Sequence, residues 1–206
     1  MQHQTSNQLF TYWNNVRNGR FAPNRFEIEP SQIADILPDV FILECPDNAT
    51  FRFRLAGTRI CAAMGHEMRG VNLLDYWTPS EREAVQNLLH NVAQDGAGAV
   101  IEFQCHNAKK EVVKFELLVL PLVHSGETVT RMVGSMCAFE RPYWLGETQL
   151  SQPALSSFNL VWPDLGPNIP GKEMTPPPVL NAAPQLAQDV RRRFRVVEGG
   201  LSRRPE

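Results

Sequence analysis

The side chains able to do chemistry are scattered along this chain rather than grouped. Of the five histidines, His3 lies near the first residue and His106 and His124 fall at strand ends or turns. None stands at a metal-ligand spacing. Glu67 and Asp75 have no evident acid–base partner. The four cysteines, Cys45, Cys61, Cys105 and Cys137, are far apart, each in an apolar segment and with no C-x-x-C pair. They read as buried thiols of a reducing compartment. The glycine-rich loops of nucleotide hydrolysis and dinucleotide binding are also missing. No catalytic residue, metal site or cofactor is therefore expected.

Two sets of residues could hold a small molecule instead. Arg54, Arg59 and Arg69 fall within sixteen positions, and their planar forks suit an acidic ligand or a structural carboxylate such as Glu116. Met64, Met132 and Met136, with Trp77 and Phe115, are the types that line adaptable pockets, and equally the types that fill ordinary cores.

The elements that must position these residues follow from periodicity. Phe51, Phe53 and Leu55 alternate with Arg52 and Arg54, the pattern of a strand with one buried face. Gly57 breaks it, and Ile60, Cys61 and Met64 then form a short helical stripe closed by Gly65. Val40–Glu44 precedes it as a near-continuous apolar strand, with Pro46–Asn48 as the hairpin turn. Thr78, Pro79 and Glu81 make a capping box for a helix with Ala84, Val85, Leu88, Leu89 and Val92 on one face. Runs at 99–106, 111–120 (ending before Pro121) and 129–139 give a three-stranded meander. Upstream, Leu9, Phe10, Trp13 and Val16 share one face of an amphipathic helix capped by Ser6 or Asn7 and stopped at Gly19. That face must cover either the sheet or a second copy of the protein. A short helix at 31–37 ends at Pro38.

The run FRFRLAGTRIC with its following GHEMRG, preceded by LPDVFILE and followed by LLDYW and the capped helix, resembles the PAS-like domain family of short bacterial regulatory proteins. That family was first described as a domain of unknown function and is typical of alphaproteobacteria. The resemblance spans residues 9 to 141. It implies an α+β fold, a five-stranded antiparallel sheet with small helices over one face, used for sensing or partner binding, and no particular ligand. Haem-binding PAS sensors take an axial histidine from the helix that here spans roughly 79 to 95, which makes His90 the residue to test. At about 100° per residue it falls opposite the apolar sector, the wrong side for an iron ligand; His66 is a weaker candidate. None of the cysteines has the Asn-Cys-Arg setting of flavin photochemistry.

The sequence thus divides into an N-terminal helix (1–19), a PAS-like domain (20–141) and a largely disordered, proline-rich tail (142–206). Residues 151–206 hold nine of the sixteen prolines. The tail has two islands. The apolar Phe158–Trp162 could dock a partner or fold back on its own domain, and the basic cluster Arg191–Arg195 reads as a solvated charge run. With 20 basic against 22 acidic residues and no run of about 20 apolar residues, neither nucleic acid nor membrane is an expected partner, and the location is expected to be cytoplasmic. The leading reading is a non-enzymatic regulator that binds a protein partner or forms a homodimer. Its interface would be Leu9, Phe10, Trp13 and Val16, the open face of the sheet, or the tail. The alternative is a sensor holding a metabolite or a cofactor such as haem in its core, with Arg54, Arg59, Met64, Arg69, Trp77, Phe115, Met132 and Met136 as the ligand-binding set. That alternative needs an interior with room in it.

Overall fold

Every strand run in the sequence is realised in one antiparallel sheet, and the sheet has one member more than expected. The structure, a computed structural model, describes residues 1–124 and 128–163. Its strands are β1 (Val40–Asp47), β2 (Thr50–Ala56), β3 (Gly98–His106), β4 (Val112–Val123), β5 (Val129–Ala138) and β6 (Ala154–Val161), in the order β2-β1-β5-β4-β3-β6. The sixth strand comes from the segment assigned to the tail. It pairs with β3 from Gly98–Val161 to Gln104–Ala154, with a bulge between Glu102 and Phe103. The five-strand expectation and the boundary at 141 are corrected accordingly, because the apolar island 158–162 folds back onto its own domain. The basic cluster 191–195 and most of the proline-rich stretch lie outside the described residues.

β4 is buried along nearly its whole length because both faces of the sheet are covered. Phe115, Leu117 and Val119 point to the front core, with Phe41, Phe53, Ile101, Phe103 and Met136. Leu118, Leu120 and Leu122 point to the back, with Val40, Val100 and Val133. β4 also passes through Pro121 instead of stopping before it. The last β3–β4 pair is Ala99–Val119, and the Pro121 carbonyl on that free side accepts a 2.9 Å bond from Trp13 Nε1, so no ladder donor is missed.

The front layer consists of α2 (Thr58–Met64), a 3-10 turn at Leu73–Tyr76 and α3 (Pro79–Asp95). Thr78 and Glu81 form the expected capping box, and Val85, Leu88, Leu89 and Val92 are buried against the sheet. The back layer is α1 (Gln4–Arg17), capped by His3 rather than by Ser6 or Asn7. The segment read as one helix over 31–37 resolves into two 3-10 turns, Pro30–Ile33 and Leu37–Asp39. Leu9 and Trp13 are buried with Ile28, Ile33 and Ile36 over the sheet's back face. No helix among the described residues is long and apolar enough to cross a membrane.

Candidate functional site

Asp39 brings two arginine side chains together at the edge of the front layer. It follows Pro38 in the turn before β1, and its carboxylate side chain is 6 % exposed. Arg59, on the first turn of α2, donates from Nη1 to Oδ2 at 2.6 Å, and Arg141, just past β5, donates from Nη2 to Oδ1 at 3.1 Å. The two arginines are 44 % and 58 % exposed. Beside them opens a cleft of about 120 Å³ lined by Ile60, Ala62, Ala63, Phe115, Met136 and Ala138, and closed off by Pro142 and Leu145. The segment after β5 is fixed against α2. Trp144 is buried in the front core, and Gly146, at φ +92°, lies where an added Cβ would meet the Ala62 carbonyl oxygen at 2.7 Å.

The interior behind this cleft is filled. Between Met64, Leu73, Tyr76, Trp77, Phe103, Leu117, Met136 and Pro153 only about 10 Å³ remains, room for a single water at most. Trp77 Nε1 is buried beside it without a hydrogen-bond partner among the described residues. Phe103 stacks on Phe115 with ring centres 5.0 Å apart, and Trp77 meets Phe103 edge-on at 5.5 Å. These aromatic contacts occupy the space a core ligand would need.

The structure divides the candidate ligand set. Arg59, Phe115 and Met136 meet at the cleft, and Met64, Trp77 and Met136 meet at the small void. Met132 is buried elsewhere in the core. Arg54 is exposed on β2, 3.8 Å from Glu44, and Arg69 is exposed beyond α2. Glu116 is not their partner. It alternates with Phe115 and therefore faces the back layer, where it accepts the backbone N–H groups of Gln2 at 2.6 Å and His3 at 3.1 Å. Asp39 and Arg141 are absent from the sequence-derived set; their only sequence signals are the Leu-Pro-Asp turn and an Arg-Pro step at the end of the last expected strand.

His90 points away from the core, as its helical angle required. Its Nε2 is hydrogen-bonded to the Asn48 carbonyl in the β1–β2 turn. His66 is exposed and bonded to Tyr76 Oη at 2.7 Å. Burial, with a smaller contribution from Cys61, pushes the Tyr76 hydroxyl up to about 12. Of the proposed interface residues, Leu9 and Trp13 are covered by the protein's own sheet, and Phe10 and Val16 are half-buried. No three histidine, cysteine, aspartate or glutamate side chains among the described residues are grouped to hold a metal.

The family model described as "PAS domain" matches residues 1–137. The chain belongs to the PAS domain family. Among solved structures it is similar to the LOV domain of the blue-light photoreceptor Aureochrome1, at 11 % identity over 52 % of this chain and 85 % of that chain, with a TM-score of 0.40. The LOV protein of Rhodobacter sphaeroides matches at 13 % identity over 56 % and 71 %, TM-score 0.40. The PAS domain of an HTR-like protein from Haloarcula marismortui matches at 16 % over 56 % and 95 %, TM-score 0.38. No curated protein matches significantly. As a PAS domain the chain falls in a class of sensory and regulatory modules, in agreement with the resemblance read over residues 9 to 141.

Proposed function

We propose that this PAS domain is a non-enzymatic regulator that works by protein contact, and that the contact is self-association along β6. The observation that carries this reading is the character of β6. It is the outermost strand on its side, and among the described residues no strand lies beyond it. Its sequence, ALSSFNLV, contains no charged residue and no proline, the devices that usually keep an edge from pairing. Phe158, near its middle, is 45 % exposed. A second copy is the occupant that such a strand suits, since two neutral strands pair antiparallel with no like charges opposed. The packed interior supports the same choice over a core-bound metabolite or haem, because the aromatic stack would have to open to admit one.

Light scattering on the full chain tests this. The expected mass is twice the 23.3 kDa of one chain, returning to one chain in Phe158→Glu, where two carboxylates would face each other across the join. A wild-type mass of 23.3 kDa at every concentration would end the proposal. Deleting α1 is the wrong test, since it strips the back of the sheet.

A further inference from the structure

The cleft beside Asp39 has more positive charge than its own structure uses. Its lining contains two guanidinium groups and one carboxylate, hence a net charge of +1, and no other ionisable side chain. Asp39 engages one nitrogen of each arginine. The other donors of both forks have no partner among the described residues. Both Asp39 oxygens are occupied by arginine, so a molecule entering the cleft meets guanidinium edges and, behind them, an apolar floor.

We propose that this cleft binds a small organic monocarboxylate. The acid group docks on the free donors of Arg59 and Arg141 at the mouth, and the apolar body rests on Phe115, Met136 and Ala138. Charge selects the sign of the ligand. An amine would approach a net positive mouth, whereas a carboxylate gains paired, charge-assisted hydrogen bonds. The lining selects the body. Ile60, Ala63, Phe115, Met136, Ala138 and Leu145 offer no hydrogen-bond partner to a second acid group carried into the cleft, and a phosphate has no apolar body to cover them. Volume selects the size. A cavity of roughly 150 Å³ takes a benzene ring, so about 120 Å³ takes a body of about four to six carbons. The site is also preformed, because Trp144 and Gly146 hold its outer wall against α2, which lowers the ordering cost of binding.

The site is independent of the β6 contact, lying against α2 and the end of β5 rather than at the β6 edge. It is tested on the full chain, and again in Phe158→Glu, by following the Met136 methyl resonance during titration with pentanoate. Saturable binding is expected, with a dissociation constant on the order of 1 mM. Pentanamide, of the same shape without the charge, should bind at least about tenfold more weakly. Arg141→Gln should cost pentanoate about tenfold while leaving the fold intact, since Arg141 is more than half exposed. Ala63→Leu, which fills the cleft and keeps both arginines, should abolish the shift. The proposal is overturned by pentanamide or inorganic phosphate binding as well as pentanoate, by wild-type affinity in either variant, or by no saturable shift. Binding that survives in Phe158→Glu supports the cleft whatever becomes of the β6 contact.

Discussion

The two edges of the sheet are finished in opposite ways. On β2 the outer backbone is satisfied by the protein itself. Phe53 exchanges hydrogen bonds with the segment beyond α2, donating to Val71 at 2.9 Å and accepting from Gly70 at 2.7 Å, and Phe51 N–H reaches Asn72 Oδ1 at 3.0 Å. Arg52 and Arg54 add exposed charge on the same strand. On β6 the side-chain contact to the backbone among the described residues is Leu155 N–H to Glu81 Oε1 at 2.8 Å. Sheet edges left unguarded are templates for further pairing. Among the described residues, the backbone and side-chain contacts that close an edge are gathered on β2.

The sharpest way to break that contrast is to remove the same residue type from both edge strands. Phe53, 1 % exposed and edge-on to Phe41 at 5.3 Å, should cost about 3–5 kcal/mol as Phe53→Ala. Phe158→Ala should change urea stability measured on the monomer by less than about 1 kcal/mol. Equal losses would mean that β6 is a core strand and no docking edge. Next, Asn72→Ala removes the acceptor for both Phe51 and Leu74 N–H, so a loss of about 1–2 kcal/mol is expected. Faster amide exchange should accompany it at Phe51 but not along β3. A smaller effect, about 1 kcal/mol, is expected for Glu81→Ala. It should speed exchange at Leu155 in addition to weakening the α3 cap, because Glu81 serves Thr78 and Leu155 together.

The smallest effect near neutral pH belongs to two thiols, each on the strand next to an edge. Burial pushes Cys45 on β1 and Cys105 on β3 up to about 12, with Glu44 and Asp47 adding to the shift at Cys45. A raised thiol pKa means the folded state holds its proton longer than the unfolded chain. The stabilisation is therefore complete below the ordinary thiol value of about 8.5 and is lost as pH rises from there toward 12. At pH 8 the difference is only about 0.2 kcal/mol per thiol. Cys105→Ala should flatten the alkaline decline in stability measured by urea unfolding at stepped pH, and Cys45→Ala should do so to a similar degree. A decline unchanged in both variants would show that neither thiol is held neutral by the fold.

Much of the architecture is legible because local signals agree with tertiary ones. Thr78, Pro79 and Glu81 cap α3 as their order dictates, and Phe51 and Phe53 take the buried side that alternation gives them, whereas Leu55, expected on that same side, is 50 % exposed because the β1–β2 register shifts between it and Phe53. β6 was hidden for the reverse reason. Ser156, Ser157 and Asn159 dilute its apolar positions, Pro153 and Pro163 flank it, and the bulge opposite Glu102 disturbs its alternation. The cleft was half legible. Arg59, Phe115 and Met136 are residue types that suggest binding, but their organiser joins Asp39 to Arg59 across 20 positions and to Arg141 across 102. No periodicity encodes pairings of that range. Glu116 went wrong for lack of a parity check, since a neighbour of buried Phe115 on a strand must face the other way.

The order β2-β1-β5-β4-β3-β6 has a consequence for how the molecule comes into being. β1 is joined to β5 by the pairs Val40–Ser135 through Glu44–Arg131, so the first hairpin has no central neighbour until β5 has been translated. During that interval Leu9 and Trp13 have no completed surface to settle on, and an emerging polypeptide that exposes them is at its most dependent on chaperones.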